Sequence, residues 1–242
     1  MRLQDRKVLV AGVSRGLGYS VAYLALKEGA YVTLNSRDER KLSQLKEELS
    51  SYGKVNTVQG DLSTPQGAKS VVEEATKLMG GLDHLVITVG GYVEDTIEDP
   101  SGLEEMLTNH VRVPVYLVKA ASKYLREGSS IVAVSSMVAL GVADPAQLSY
   151  AAAKTALVKL VEVLAAELLP RGVRVNGVAP SFIKGDFEPG REWRKMRKLG
   201  DDGAPPEDFA SVVLWLLTDE SEWVDGVVIP VDGGARLKKR GE

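Results

Sequence analysis

Val8-Leu9-Val10-Ala11-Gly12-Val13-Ser14-Arg15-Gly16-Leu17-Gly18 is the stretch that decides the fold. A short apolar run ends at Gly12, and Gly16 and Gly18 lead into a helical pattern with Val21, Leu24, Ala25 and Leu26 on its apolar face. Glycines between a strand and a helix permit a tight turn, let the backbone approach a pyrophosphate, and let the two elements pack closely. The helix N-terminus then offers free N–H groups and a partial positive charge to phosphates. Gly12, Ser14, Arg15, Gly16, Leu17 and Gly18 are therefore candidate cofactor contacts, on a G-x-x-x-G-x-G spacing.

Outward from this loop the chain alternates short apolar runs with helical stretches. Strands are expected at Lys7–Ala11, Ala30–Asn35, Val55–Gln59, Leu85–Val89, Ser130–Ser135, Val173–Ala179 and Val227–Val231. Helices are expected over 16–28, 38–50, from Thr64-Pro65, over 101–126 and over 149–169, the last ended by Pro170 and Gly172. The strands are near-continuous in Val, Ile and Leu, as in a sheet covered on both faces. The alternation predicts an α/β fold: one Rossmann-type doubly wound domain over residues 1–242, about seven parallel strands with helices on both sides. Residues 181–206 read as a long irregular loop, rich in glycine and proline, of the kind that covers a binding site. The tail from Arg236 is basic and expected to be solvated.

Composition narrows the function. The chain has 242 residues, 30 Lys+Arg against 33 Asp+Glu, 2 His and no Cys. Without cysteine there is no disulfide, thiolate nucleophile or Cys-ligated metal, and two histidines cannot make a three-histidine site. No metal is expected. The near-even charge predicts no nucleic-acid face. The charged start and the short run Val8–Val13 do not suit a signal peptide, and no apolar stretch nears the ~20 residues of a bilayer span. A cytoplasmic protein with no membrane partner is expected.

The second strand bears on the cofactor. An NAD site places a carboxylate near its end for the ribose 2′-OH, whereas an NADP site places cations for a 2′-phosphate. Here Thr33-Leu34-Asn35-Ser36-Arg37 has no acid at that point. Ser36 and Arg37, with Arg15, could clamp one phosphate. NADP(H) is favoured, with NAD(H) as the alternative. The segment Gly12-Val13-Ser14-Arg15-Gly16 also fits the G-x-S-x-G nucleophile elbow, so a hydrolase using Ser14 with His84 or His110 stays open.

Tyr150-Ala151-Ala152-Ala153-Lys154 opens the long helix, and residues four apart share a helix face. A lysine cation beside a phenol favours phenolate and lowers its pKa, making Tyr150 a candidate general acid/base. Ser135-Ser136 closes the preceding strand, where a hydroxyl could hold the same substrate oxygen.

Taken in order, these motifs resemble the classical short-chain dehydrogenase/reductases over essentially the whole chain. The glycine loop 11–18 resembles their T-G-x-x-x-G-x-G, with Ala11 for Thr. Asp61-Leu62 resembles their adenine-contacting pair, Asn109 their helix asparagine, and Ser136, Tyr150 and Lys154 their Ser-Tyr-Lys. Asn176-Gly177-Val178-Ala179-Pro180-Ser181 and Val231-Asp232-Gly233-Gly234 resemble two C-terminal segments. The resemblance implies hydride transfer between a nicotinamide and a carbonyl or secondary-alcohol substrate. In it, Tyr150 exchanges the proton, Ser136 orients the oxygen, Lys154 binds the ribose and lowers the Tyr150 pKa, and Asn109 holds a relay water. Gly90, Pro180 and Ile183 join the implied cofactor contacts, while His110 is expected to be structural.

The sequence also departs from the family. Ile87-Thr88-Val89-Gly90 stands for N-N-A-G, Ser181 replaces a glycine, and Lys184-Gly185 lies where a threonine is usual. The loop 181–206 carries Lys184, Arg191, Arg194, Lys195, Arg197 and Lys198, which suit either a basic lid over an anionic substrate or a solvated surface. Arg126 and Arg171 could suit an acidic carrier protein. Substrates of 3-oxoacyl-carrier-protein, sugar, steroid and small-ketone type all remain open. Leu157, Leu160, Val161 and Leu164 are apolar positions beyond those one core would use, which with the family's habits implies a homotetramer or homodimer. A non-catalytic NADP-binding regulator is the other alternative.

Overall fold

The computed structural model describes residues 1–141 and 144–238. Strand β1 (Lys7–Ala11) lies inside the sheet, and its alternate residues enter two different cores. Val8 and Val10 join the cluster under α1 (Leu17–Lys27), while Leu9 and Ala11 join the opposite one. A strand with period-two side chains can do this only when both faces are covered, which explains its unbroken apolar sequence.

β2 (Tyr31–Ser36), α2 (Glu39–Leu49), β3 (Val55–Gln59), α3 (Pro65–Met79) and β4 (His84–Ile87) follow. Asp38 caps α2 by accepting from the Lys41 N–H, and Thr64 caps α3 with Pro65 at its first position. The stretch 101–126, read as one helix, is divided. It forms α4 (Leu103–Leu107), a π-helical turn (Thr108–Arg112) and α5 (Val113–Ala121). Pro114 has no N–H to donate, so the regular ladder cannot run through it, and the wider turn absorbs the break.

β5 (Ser130–Val134), α6 (Leu148–Leu168) and β6 (Arg174–Pro180) come next. A 3-10 turn at Leu169–Arg171 and a left-handed Gly172 end α6. The 181–206 stretch is less irregular than expected: β7 (Phe182–Ile183) and β8 (Gly203–Ala204) pair in parallel. Helix α7 (Pro206–Leu217) has no counterpart among the expected elements. Phe209, Ala210, Val213, Leu214, Leu216 and Leu217 are all buried, so its apolar residues run almost without a polar face. β9 (Val228–Val231) closes the sheet, whose order is β3-β2-β1-β4-β5-β6-β9, all parallel. The seven strands expected from sequence are thus present, and the order reverses between β1 and β4.

One surface expectation changes. Leu157 and Val161 belong to the core, and Leu160 and Leu164 pack half-buried against it. Of the basic tail, residues 239–242 lie outside the described residues. No helix among the described residues is long and apolar enough to cross a membrane.

Candidate active site

Ligands in open parallel sheets bind beyond the strand ends where the order reverses. Here that point lies between β1 and β4, and Gly12 stands on it at φ +83, where a Cβ would sit 2.6 Å from Val89 Cγ2. Only glycine fits so close to another backbone. The residue that replaces a family asparagine, Thr88, still braces the turn: its hydroxyl donates to the Ala11 and Gly12 oxygens at 3.1 and 3.3 Å. Helix α1 starts without a side-chain cap, and its first residues, Leu17 and Gly18, border a cavity of about 1180 Å³. Ser14, Arg15, Gly16, Leu17 and Gly18 line it, as do Gly90, Pro180 and Ile183. An uncapped helix start of this kind suits a diphosphate, so the residues present fit a dinucleotide.

An adjoining cavity is lined by Gly12, Ser36, Arg37, Asp61, Leu62, Gly90 and Asn109. The nearest acid after β2, Asp38, is occupied in capping α2 and accepts from Lys41 N–H at 3.1 Å. The two arginines do not converge as a clamp. Arg37 lines this cavity, whereas Arg15 lines the larger one and is ion-paired with Glu48. Glu48 also accepts from the Tyr19 hydroxyl at 2.8 Å, so it holds Arg15 from below the glycine loop.

Ser136, Tyr150 and Lys154 line the same large cavity. Both adjacent serines border the cavity, but Ser135 is buried, with its hydroxyl donating to the Lys154 main-chain oxygen at 3.2 Å, while Ser136 is only partly buried. Tyr150 is flanked edge-on by Tyr92 at 5.1 Å and His110 at 5.6 Å. The expected lowering of the Tyr150 pKa is not what the side chains produce. Burial raises it above the ordinary phenol value, and hydrogen bonding to Ser136 pulls the other way. Lys154 contributes no such pull because it is itself buried, pushed down to about 7, and bonded to the Val134 oxygen at 2.8 Å.

Asn109 lies on the π-helical turn with its amide beside Gly91, where a Cβ would approach its Nδ2 to 2.8 Å. The neighbour that touches Tyr150 is His110, whose Nε2 pairs with the Gly91 oxygen at 3.1 Å. Burial drives His110 down to about 3, so it stays neutral. Tyr92 was not singled out from the sequence; its only signal was an aromatic directly after Gly90-Gly91.

This geometry agrees with the comparisons. The family model described as Enoyl-(Acyl carrier protein) reductase matches residues 12–236. The chain belongs to the short-chain dehydrogenase/reductase family. It is 32% identical to glucose 1-dehydrogenase of Gluconobacter oxydans, over 98% of this chain and 94% of that one. It is 32% identical to a 3-oxoacyl-[acyl-carrier-protein] reductase of Thermotoga maritima, over 97% and 99%. A short-chain dehydrogenase from Burkholderia cenocepacia, solved in complex with NADP, superposes with TM-score 0.87 at 28% identity, over 97% and 99%. Membership makes the protein an NAD(P)-dependent oxidoreductase of CH–OH and C=O groups.

In this short-chain dehydrogenase/reductase the other readings lose their footing. A hydrolase would need a histidine at Ser14. His84 is instead bonded to the Ser130 N–H at 3.1 Å, and His110 lies against Tyr150. The cations of residues 181–206 do not form a basic cover over the cavity either. Arg191 forms a fork with buried Glu207 at 2.6 and 2.7 Å, Arg197 one with Asp208, and Lys195 pairs with Glu192. None of the six cations lines the cavity; its lining residues from this stretch are Ser181, Phe182, Ile183, Gly185, Asp186 and Asp202. Arg126 is engaged with Asp83, and Arg171 with the Ser122 and Leu125 oxygens.

Proposed function

We propose that the protein is an NADP(H)-dependent reductase of an uncharged carbonyl compound, or dehydrogenase of the matching alcohol. The observation that carries this is Ser136, Tyr150 and Lys154 sharing one cavity with the uncapped start of α1. The cavity that holds Tyr150 is lined in part by Tyr92, Met137, Val138 and Phe182; of its cations, Arg15 is paired with Glu48 and Arg236 with Asp232, and none comes from residues 181–206. Residues 181–206 serve as the substrate-covering loop.

Each side chain then has a task. A bound nicotinamide would supply or accept the hydride. Ser136 holds the substrate oxygen by donating to it. Tyr150 gives that oxygen its proton during reduction and takes one back during oxidation. Lys154 holds the nicotinamide ribose from the sheet side and, once the site is filled, adds positive charge beside the phenol. Asn109 holds a water on the route that restores the proton. Gly12 and the α1 N–H groups hold the diphosphate, Asp61 and Leu62 the adenine, and Ser36 and Arg37 the 2′-phosphate. Arg15 joins Arg37 on releasing Glu48, a change that costs little because the pair is solvent-exposed.

The assembly is a homotetramer or homodimer in the cytoplasm. Leu103, Val115, Leu148 and Val163 leave apolar surface exposed on α4, α5 and α6. Light scattering coupled to gel filtration reads the assembly directly.

The test of the function is titration with NADPH and with NADH, followed by tryptophan fluorescence, then NADPH oxidation with benzil, ethyl 3-oxobutanoate and 3-oxobutanoate. Expected are tighter binding of NADPH and turnover of the neutral ketones over the carboxylate. Binding of neither nucleotide would sink the assignment.

A further inference from the structure

Asp95 is a buried carboxylate, 4% exposed, with no part in the steps above. It lies between β4 and α4, yet its bonds go to the start of α6. Its oxygens accept from the Ser149 N–H at 3.0 Å and from the Ser149 hydroxyl. Its own N–H donates to the Ala146 oxygen at 3.2 Å, and its main-chain oxygen accepts from the Leu148 N–H at 3.3 Å.

Ser149 is the second residue of α6 and Tyr150 the third. The first N–H groups of a helix need acceptors from outside it, and the residue at the cap position, Gln147, provides no side-chain acceptor. Asp95 provides one from elsewhere in the chain and places negative charge at the positive end of the helix. Ala146, just ahead, is held at φ +61. A residue with a Cβ stays there only when its surroundings fix it, and the bond from Asp95 is part of that fixing.

The carboxylate also accepts from the Gly102 N–H at 3.1 Å. Gly102 precedes α4, which runs into the π-helical turn carrying Asn109 and His110. A Cβ on Gly102 would lie 2.7 Å from Val93 Cβ, so the start of α4 is fitted closely to this segment. Three residues before Asp95, Tyr92 packs against the Tyr150 ring. One carboxylate therefore ties together the Tyr92 segment, the helix leading to Asn109, and the helix bearing Tyr150.

We propose that Asp95 is a positioning residue, seating the Tyr150 end of α6 against Ser136 without touching substrate or cofactor. This rests on the role given to Tyr150 above. The donors from Ser149 hold the Asp95 carboxyl below the ordinary carboxylate range, so it remains ionised throughout the working range.

The test compares Asp95→Asn, Ser149→Ala and the double variant with the wild type, using the ketone of the three-compound panel that the wild type reduces fastest. Misplacing a reacting group by about 1 Å costs on the order of a hundredfold, so Asp95→Asn is expected to lower kcat about ten- to a hundredfold, and Ser149→Ala a few-fold. The NADPH Kd should move less than about threefold, and the double variant should be no slower than Asp95→Asn, as for residues acting through one contact. The pKa read from the kcat–pH profile should rise in both single variants, because a displaced Tyr150 loses the bond to Ser136. Unchanged kcat and pH profile in Asp95→Asn and Ser149→Ala would overturn the inference and leave the reductase assignment standing. So would a kcat loss that merely follows lost NADPH affinity and lowered Tm. A wild type that turns over none of the three ketones would overturn both.

Discussion

The Lys154 ammonium donates to the Val134 main-chain oxygen at 2.8 Å, so the sheet, not the phenol, fixes its place. Its Nζ lies 5.7 Å from the Tyr150 ring centroid. Burial pushes Lys154 down to about 7. A negatively charged cofactor favours the ammonium form, so binding takes up a proton, and affinity is full below that pKa and falls above it. The NADPH Kd is expected to rise with pH above about 7, by at most about tenfold per unit. In Lys154→Met the Kd should be higher and its pH dependence flatter. Fluorescence titrations across this range check both; an equally steep rise in Lys154→Met would assign the effect to another group.

In the mechanism proposed above Tyr150 carries the proton; it is half-buried, and Tyr92 meets its ring edge-on. Tyr150→Phe keeps the ring and removes the hydroxyl. Losing a general acid costs about 10²–10⁴ in rate, so kcat should fall by about that factor with NADPH binding retained. Ser136→Ala should cost less, and the pair should be far from additive because both act on one oxygen. Steady-state kinetics with parallel NADPH titrations decides; a Tyr150→Phe enzyme within tenfold of wild type would remove Tyr150 from the mechanism.

Arg37 lines the smaller cavity with Asp61 and Leu62, whereas Arg15 is ion-paired with Glu48. Hydrogen bonds to charged groups contribute about 1.5–3 kcal/mol, so Arg37→Ala should raise the NADPH Kd by roughly ten- to a hundredfold and leave NADH within about twofold. Glu48→Gln frees Arg15 and should tighten NADPH a few-fold. If Arg37→Ala weakens NADH and NADPH alike, the arginine is not reading the 2′-phosphate.

The sheet was legible because a parallel strand covered on both faces has an unbroken apolar sequence, as Val8–Ala11 and Ile131–Val134 do. The helix α7 escaped because it too is apolar nearly all round, which hides its periodicity. The glycine loop and the Tyr150–Lys154 spacing were readable as local patterns. What was not readable depends on contacts distant in sequence. Glu48 takes Arg15 from α2, Val134 takes Lys154 from β5, and Glu207 takes Arg191 from α7. A string of cations looks the same in sequence whether it faces a substrate or is already paired.

His84 is 1% exposed at the start of β4, with Nδ1 accepting from the Ser130 N–H at 3.1 Å. Burial is the main cause that pushes it down to about 4, with Asp83 pulling upward. In the unfolded chain it titrates near 6.5. Between these values the unfolded chain binds a proton that the folded one refuses, so stability is full above the unfolded pKa and is lost as pH falls toward the folded one. The slope reaches at most about 1.4 kcal/mol per pH unit for one such group, and His110, driven down to about 3, acts with the same sign. His84→Gln keeps an acceptor for Ser130 but cannot titrate. Urea unfolding of both proteins at several pH values between about 7 and 4 isolates the term, since carboxylates affect both equally. His84→Gln should lose stability less steeply on acidification, the curves converging by up to about 3 kcal/mol near the lower end. Parallel curves would show that His84 enters the folded state with its proton.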